Sequence, residues 1–234
     1  MFTELIFRLR KLFSSQSVKA LCVGVEHSKF AGELPGAASG AKAIFSKIKS
    51  RCNYAKLLID DEATKSRVMY EMKNVCDSDL AIIIFNCHGG QRPGKQNETD
   101  GKDEFLGLYD QPLIDNEIWN IVTSKAKGRV FFIFDCCHSE TMFRNIDNMI
   151  LNERSVNPDL LAWSSCSDNT VSYGNPTTGG FLIRTIAKKI RWYKTYAGLW
   201  KELSKNKQIA KYEKIKQTIL LGGKSKFNKK FILS

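Results

Sequence analysis

Two short runs in this chain are apolar without interruption, and each stops on a cysteine-histidine pair. Leu80 to Phe85 runs into Asn86-Cys87-His88-Gly89-Gly90, and Val130 to Phe134 runs into Asp135-Cys136-Cys137-His138-Ser139. A strand with no polar residue to turn toward solvent has to be covered on both faces, which is the situation of strands inside a parallel sheet. Open sheets of that kind place reactive groups just past the carboxyl ends of their strands. One strand end can then offer a base and the other a nucleophile.

The rest of the chain alternates in the same sense. Lys19 to Glu26 reads as a first strand, followed by a Gly-rich loop and a helix near Ser39 to Ser50. Ala55 to Ile59 is a second strand, with a helix from about Thr64 to Cys76 before the run at Leu80. Gly89 to Pro112 reads as a long polar loop leading to a helix near Asp115 to Ser124 and the run at Val130. Leu160 to Ser164 is a fifth strand, with a helix from about Gly180 to Tyr193 behind it. Strands alternating with helices predict a mostly parallel sheet layered between helices, because each crossover returns the chain to the same edge direction. The runs at Leu80 and Val130 are then expected to point the same way.

At 234 residues and 43% apolar content the chain can close one sizeable core, and a single domain is expected. Seven cysteines, several of them inside apolar runs (Cys22, Cys76, Cys87, Cys136), argue for free thiols in a reducing, cytoplasmic compartment rather than a disulfide scaffold. The net charge of +12 sits in the last part: residues 184 to 234 carry 15 basic and 2 acidic side chains. Such a region suits an acidic partner, nucleic acid or an anionic membrane. Because its lysines are scattered among Trp200, Leu203, Ile209, Ile215 and Leu220, a solvated basic face is the preferred reading and no such partner is assigned. In residues 1 to 16 an apolar stripe (Phe2, Leu5, Ile6, Leu9, Leu12, Phe13) is interleaved with Arg8, Arg10 and Lys11. Those charges interrupt any signal-peptide core, and no run reaches the roughly 20 apolar residues of a membrane span. Docking of the stripe onto the domain is preferred over an interfacial helix.

A neutral imidazole beside a cysteine takes up or shares its proton and generates the attacking thiolate. His88 and one of the paired cysteines fit those roles, and backbone N–H groups at the Gly89-Gly90 turn are suited to a developing oxyanion. A cysteine closing an apolar strand is more often an inert, buried thiol, which is the reading for Cys22 and Cys76. His27 reads as a loop residue, and the four tryptophans (Trp119, Trp163, Trp192, Trp200) as core or rim packing.

These residues resemble the caspase-like cysteine peptidases, and within them the metacaspases. The likeness runs through Ala20 to Val25 with Leu34-Pro35-Gly36-Ala37, Asp60-Asp61-Glu62-Ala63-Thr64-Lys65, and Asn86-Cys87-His88-Gly89-Gly90. It continues in Asp100 to Phe105 with Tyr109-Asp110 and Ile114 to Glu117, in Asp135 to Ser139, and in Ser164 to Asn169 with Gly179-Gly180-Phe181. The resemblance implies a caspase-like three-layer α/β/α sandwich over residues 17–234. It makes His88 the base and Cys137, which directly precedes His138-Ser139, the nucleophile. Cys136 becomes a packing residue, and Gly89 and Cys137 the oxyanion-hole donors. His138 adjoins the thiol, but successive side chains of an extended backbone diverge, so it is not expected to be the base.

Metacaspases typically cut after Arg or Lys using an acidic pocket floor, for which Asp135 matches one acid. Ser39-Gly40 stands where the family's Asn-Asp supplies the other, and Asn86 where a Ser is common. Cleavage after a basic residue is still expected, with Asp135 and Asn86 in the substrate pocket, because one buried carboxylate can pair with a guanidinium. Many members bind calcium; Asp103, Asp115 and Glu117 fall in the region that supplies ligands. Asn116 and Arg144 stand where acids are usual, so weak or absent calcium dependence is expected and no cofactor is required. Self-cleavage after Arg144 or Arg154 is the expected form of activation. A zinc site drawn from Cys87, His88, Cys136, Cys137, His138 and Cys166 lacks tetrahedral spacing. A phosphatase loop is disfavoured, since six residues, none of them glycine, separate Cys137 from Arg144. The remaining alternative is a catalytically silent binding or regulatory module of the same fold.

Overall fold

The computed structural model describes residues 16–94, 102–136, 160–165, 174–175, 177, 179–190, 198–199, 201, 203 and 220–223. Strand β1 (Val18–Gly24) is followed by a two-rung hairpin, β2 (His27–Ser28) and β3 (Gly32–Glu33), and then by helix α1 (Ala37–Ile48). Next come β4 (Tyr54–Ile59), helix α2 (Lys65–Cys76) and β5 (Leu80–Asn86). Three strands follow, β6 (His88–Pro93), β7 (Lys102–Gly107) and β8 (Pro112–Ile114), ahead of helix α3 (Asp115–Lys125) and β9 (Arg129–Asp135). The described remainder is β10 (Leu160–Ser164), a second small hairpin of β11 (Gly174–Asn175) and β12 (Gly179–Gly180), helix α4 (Phe181–Lys189) and β13 (Leu220–Gly223).

The central sheet has the order β13-β10-β9-β5-β1-β4. Its pairs are parallel except β10 with β13, so the runs at Leu80 and Val130 do point the same way. The side-chain alternation of each strand divides the core in two. Ala81, Ile83 and Phe85 of β5 with Val130, Phe132 and Phe134 of β9 pack beneath Val68, Met72 and Val75 of α2 and Ile118 and Val122 of α3. Ile82, Ile84, Phe131 and Ile133 face the other way, onto Ile44 and Ile48 of α1 and Leu182, Ile183 and Ile186 of α4. A strand buried on both faces has no polar residue to spare, which is why β5 from Leu80 and β9 from Val130 are uniformly apolar until their last residues.

The segment expected to be a long loop, Gly89 to Pro112, is instead mostly sheet. β6 pairs antiparallel with β7, and β7 with β8, in a three-stranded sheet of its own. Its strands are rich in glycine and charged residues, so their composition resembles a loop, although Asp103 and Glu104 are buried; Leu106, Leu113 and Ile114, also buried, hold it against the domain. Residues 95–101 of that segment, the amphipathic stripe of residues 1 to 15 and most of the basic region after residue 190 lie outside the described residues.

Candidate active site

The carboxyl ends of β1, β5 and β9 form a row, in which Gly24 pairs with Asn86 and Asn86 with Asp135. All three belong to the face covered by α1 and α4, and the residues there shrink or turn polar where the helices come closest. A Cβ on Gly24 would lie 2.7 Å from that of Ala41 and 2.9 Å from the Ala37 carbonyl, so α1 approaches β1 at a distance only glycine allows. Asn86, 2% exposed, donates its amide N–H to the Ala37 carbonyl oxygen at 3.0 Å. Asp135, equally buried, accepts the Ile183 N–H at 2.9 Å. Ile183 is the third residue of α4, so this carboxylate caps the helix from another strand and meets the positive end of its dipole.

The two residues expected to line a substrate pocket therefore also tie two helices to the sheet. Glycines make room for them. A side chain at Gly40 would run into the Asn86 amide, and one at Gly180 into the Asp135 carboxylate. Gly40 is the position where the expected second acid is missing, and the space it leaves is filled by the Asn86 side chain.

His88 begins β6, two residues past Asn86. Its Nε2 lies 3.0 Å from the backbone carbonyl oxygen of Glu33 on β3. A carbonyl can only accept, so Nε2 carries the proton, and the lone pair of the neutral ring is at Nδ1. Opposite His88 on β7 stands Gly107, where a Cβ would lie 2.9 Å from that of Ala31 and 3.1 Å from that of His88. The β2–β3 hairpin is thus pressed against the imidazole. It is held there by Ser28, whose hydroxyl donates to the Leu108 carbonyl at 2.6 Å and accepts the Ala31 N–H at 2.9 Å, and by the Lys29 N–H to the Tyr109 carbonyl at 2.8 Å. His27, read as a loop residue, is in fact one rung of that hairpin, its Nδ1 2.7 Å from the Glu33 carboxylate. That hydrogen bond and the charge of Glu33 raise the pKa of His27.

Beyond Asp135, Cys136 is 1% exposed and packs on the α2/α3 face, as expected of a packing residue. Its carbonyl accepts the Ser165 hydroxyl at 3.2 Å, and the Ser165 N–H reaches the Phe134 carbonyl at 2.9 Å. The last described peptide oxygen before position 137 is therefore anchored. Cys137, His138, Arg144, Arg154 and Cys166 lie outside the described residues. The inert thiols are clear: burial pushes Cys76 up to about 12 and Cys22 well above the usual thiol range. Half-buried Cys52 is pushed up to about 11 for the same reason. Trp119 and Trp163 are buried, as expected.

The acids weighed as calcium ligands are otherwise engaged. Asp103 on β7 takes both Nε and Nη2 of Arg92, at 3.2 and 3.1 Å. Glu117 accepts the Ile114 N–H at 3.0 Å and pairs with Lys65 Nζ at 2.7 Å, while Asp115 Oδ1 accepts the Asn116 N–H at 2.7 Å. Among the described residues no three His, Cys, Asp or Glu side chains converge as a metal requires. Two of the three, Asp103 and Glu117, are each paired with a cation, Arg92 and Lys65 respectively.

Sequence reasoning missed Glu33 and Ile183 and the roles of Gly40, Ser165 and Gly180, which contribute backbone groups, a hydroxyl or simply space. The Gly179-Gly180 pair and the Ser164-Ser165 doublet were visible as motifs, without any indication of what they touch.

A mostly parallel sheet between two helical layers defines a three-layer α/β sandwich, here with a histidine and an acidic residue at neighbouring strand ends. The chain belongs to the caspase-domain family, whose model matches residues 17–218. It is similar to Metacaspase-1A of Aspergillus terreus, with 29% identity over 142 residues, covering 52% of this chain and 35% of that protein. It is also similar to Metacaspase-5 of Trypanosoma brucei brucei, with 21% identity over 216 residues, covering 73% and 43%. The chain thus spans well under half the length of these relatives. Among solved structures, protein GSU0716 from Geobacter sulfurreducens superposes with a TM-score of 0.69 at 21% identity, covering 92% of this chain and 97% of that one. That likeness speaks for the fold. No helix among the described residues is long and apolar enough to cross a membrane.

Proposed function

We propose that the chain is a cysteine endopeptidase of metacaspase type, with Cys137 as nucleophile and His88 as base, cleaving after Arg or Lys. The observation that carries this reading is the position of His88: at the tip of the strand beside β9, its Nε2–H held by the Glu33 carbonyl and its basic Nδ1 left for chemistry. Asn86 and Asp135 are direct neighbours across two parallel strands, and positions 88 and 137 each follow by two residues. Two peptide links span at most about 7 Å, a reach that suits a nucleophile at position 137 to the base at the neighbouring strand end.

The chemistry then balances as an acyl transfer. Nδ1 of His88 takes the thiol proton, the sulfur adds to the scissile carbonyl, and the oxyanion is met by the N–H groups of Gly89 and Cys137. Collapse breaks the C–N bond, with His88 returning its proton to the leaving amine. Water, deprotonated by the same imidazole, then releases the acid and restores the thiol. Asp135 supplies the negative charge that would pair with a basic side chain. Arg144 and Arg154 are the sites proposed for self-cleavage.

The commitment of Asp135 to α4, together with the filling of the Gly40 space by Asn86, favours as second reading a silent module of the same fold. Fluorogenic peptides ending in Arg, Lys or Asp, assayed with and without calcium, separate the two. The expected result is turnover after Arg and Lys that vanishes in Cys137→Ala and falls about 10²- to 10⁴-fold in His88→Ala. No turnover of any peptide by the wild type would leave the binding module standing.

A further inference from the structure

His88 is held by a carbonyl from a two-rung hairpin, and so short a hairpin does not hold its own position in water. What fixes its entry is a residue from the turn that follows another strand. Asp60, directly after β4, is the one non-glycine residue with positive φ among those described, at 46°. Its carboxylate Oδ1 accepts two successive backbone N–H groups, those of Glu26 at 2.7 Å and His27 at 2.9 Å. Those two residues carry the chain from β1 into the hairpin. The same turn is closed at its far end by the Leu34 N–H to the Glu26 carbonyl, 2.8 Å, and by the His27–Glu33 rung. A left-handed backbone at an aspartate is sparsely populated and persists where surrounding structure demands it. Here it directs the carboxylate toward the N–H pair.

We propose that Asp60 is a positioning residue for the catalytic imidazole: by clamping the Glu26 and His27 amides it sets where the Glu33 carbonyl stands, and so which nitrogen of His88 carries the proton. This rests on the reading of His88 as the base. The linkage consists of two hydrogen bonds to one oxygen, a cross-strand rung, and one hydrogen bond to Nε2. Asp60 itself touches no substrate.

Two substitutions separate the acceptor from the backbone strain. Asp60→Gly accepts the positive φ without penalty but has no oxygen to offer, whereas Asp60→Asn tolerates the conformation and keeps an acceptor. Nitrogen NMR of the His88 ring reads the tautomer directly, and peptide turnover reads kcat and KM separately. In Asp60→Gly the expected outcome is loss of the predominance of the Nε2–H form and a fall in kcat of about tenfold, with KM within twofold. In Asp60→Asn both return to near wild type. A folded Asp60→Gly protein with the native tautomer and native kcat overturns the proposal. Should that variant not fold, Asp60→Ala, which likewise has no acceptor, is read the same way. If His88→Ala keeps full turnover, the base assignment fails by itself, while the tautomer shift in Asp60→Gly still reports whether the clamp exists.

Discussion

At the scale of single residues, the site is a set of spatial trades. Asn86 fills the room that a side chain at position 40 would need, so Gly40→Asp cannot simply restore a second pocket acid. That substitution alone is expected to destabilise the protein by about 1–3 kcal/mol through overpacking. Paired with Asn86→Ser it is expected to fold and to raise kcat/KM for Arg peptides above wild type; thermal melts and peptide assays on the three variants check this. His27 gives a pH signature. Its pKa is raised by Glu33, so the His27–Glu33 contact contributes fully below the unfolded-state value near 6.5 and is lost as pH rises through the higher folded value. An NMR titration should place the His27 midpoint above that of a free imidazole and return it toward normal in Glu33→Gln. The motif residues were legible from the sequence because Asn86-Cys87-His88 and Asp135-Cys136-Cys137 break apolar runs. Glu33 was not, because it acts through its backbone, which every residue possesses.

At the scale of elements, the sharpest lesson is the segment from Gly89 to Pro112. Its strands are short and rich in glycine and charge, so a reading by composition gives a loop; the Phe105-Leu106 pair and Leu108 are too few to give a strand its alternating pattern. The fully apolar strands were found because burial on both faces forces their composition. Boundaries shifted by a few residues where helices met their caps. Helix α4 illustrates why: it has no side-chain cap of its own, since Gly180 stands at its N-cap and Asp135 supplies the acceptor from β9. Asp135→Ala is therefore expected to lower stability by about 0.5–2 kcal/mol in chemical denaturation, in addition to removing any preference for basic peptides. Asp135→Asn keeps an acceptor and should recover part of the stability but not the preference.

At the scale of the whole molecule, the double-faced sheet concentrates stability in a few aromatic residues. Phe132 is fully buried, lies parallel to Phe134 with centroids 5.2 Å apart, and meets Trp119 edge-on at 5.6 Å. Phe132→Ala should cost about 3–5 kcal/mol, a large share of the 5–15 kcal/mol typical of a domain. The expected readout is a denaturation midpoint displaced far below that of any site variant above.

Asn86 and Asp135 moor α1 and α4, so under the proposed assignment recognition and architecture draw on the same atoms. Variants chosen for a new cleavage preference at these positions will tend to arrive loosened. Their rescuing second mutations should appear not around the bound peptide but along the undersides of the two helices.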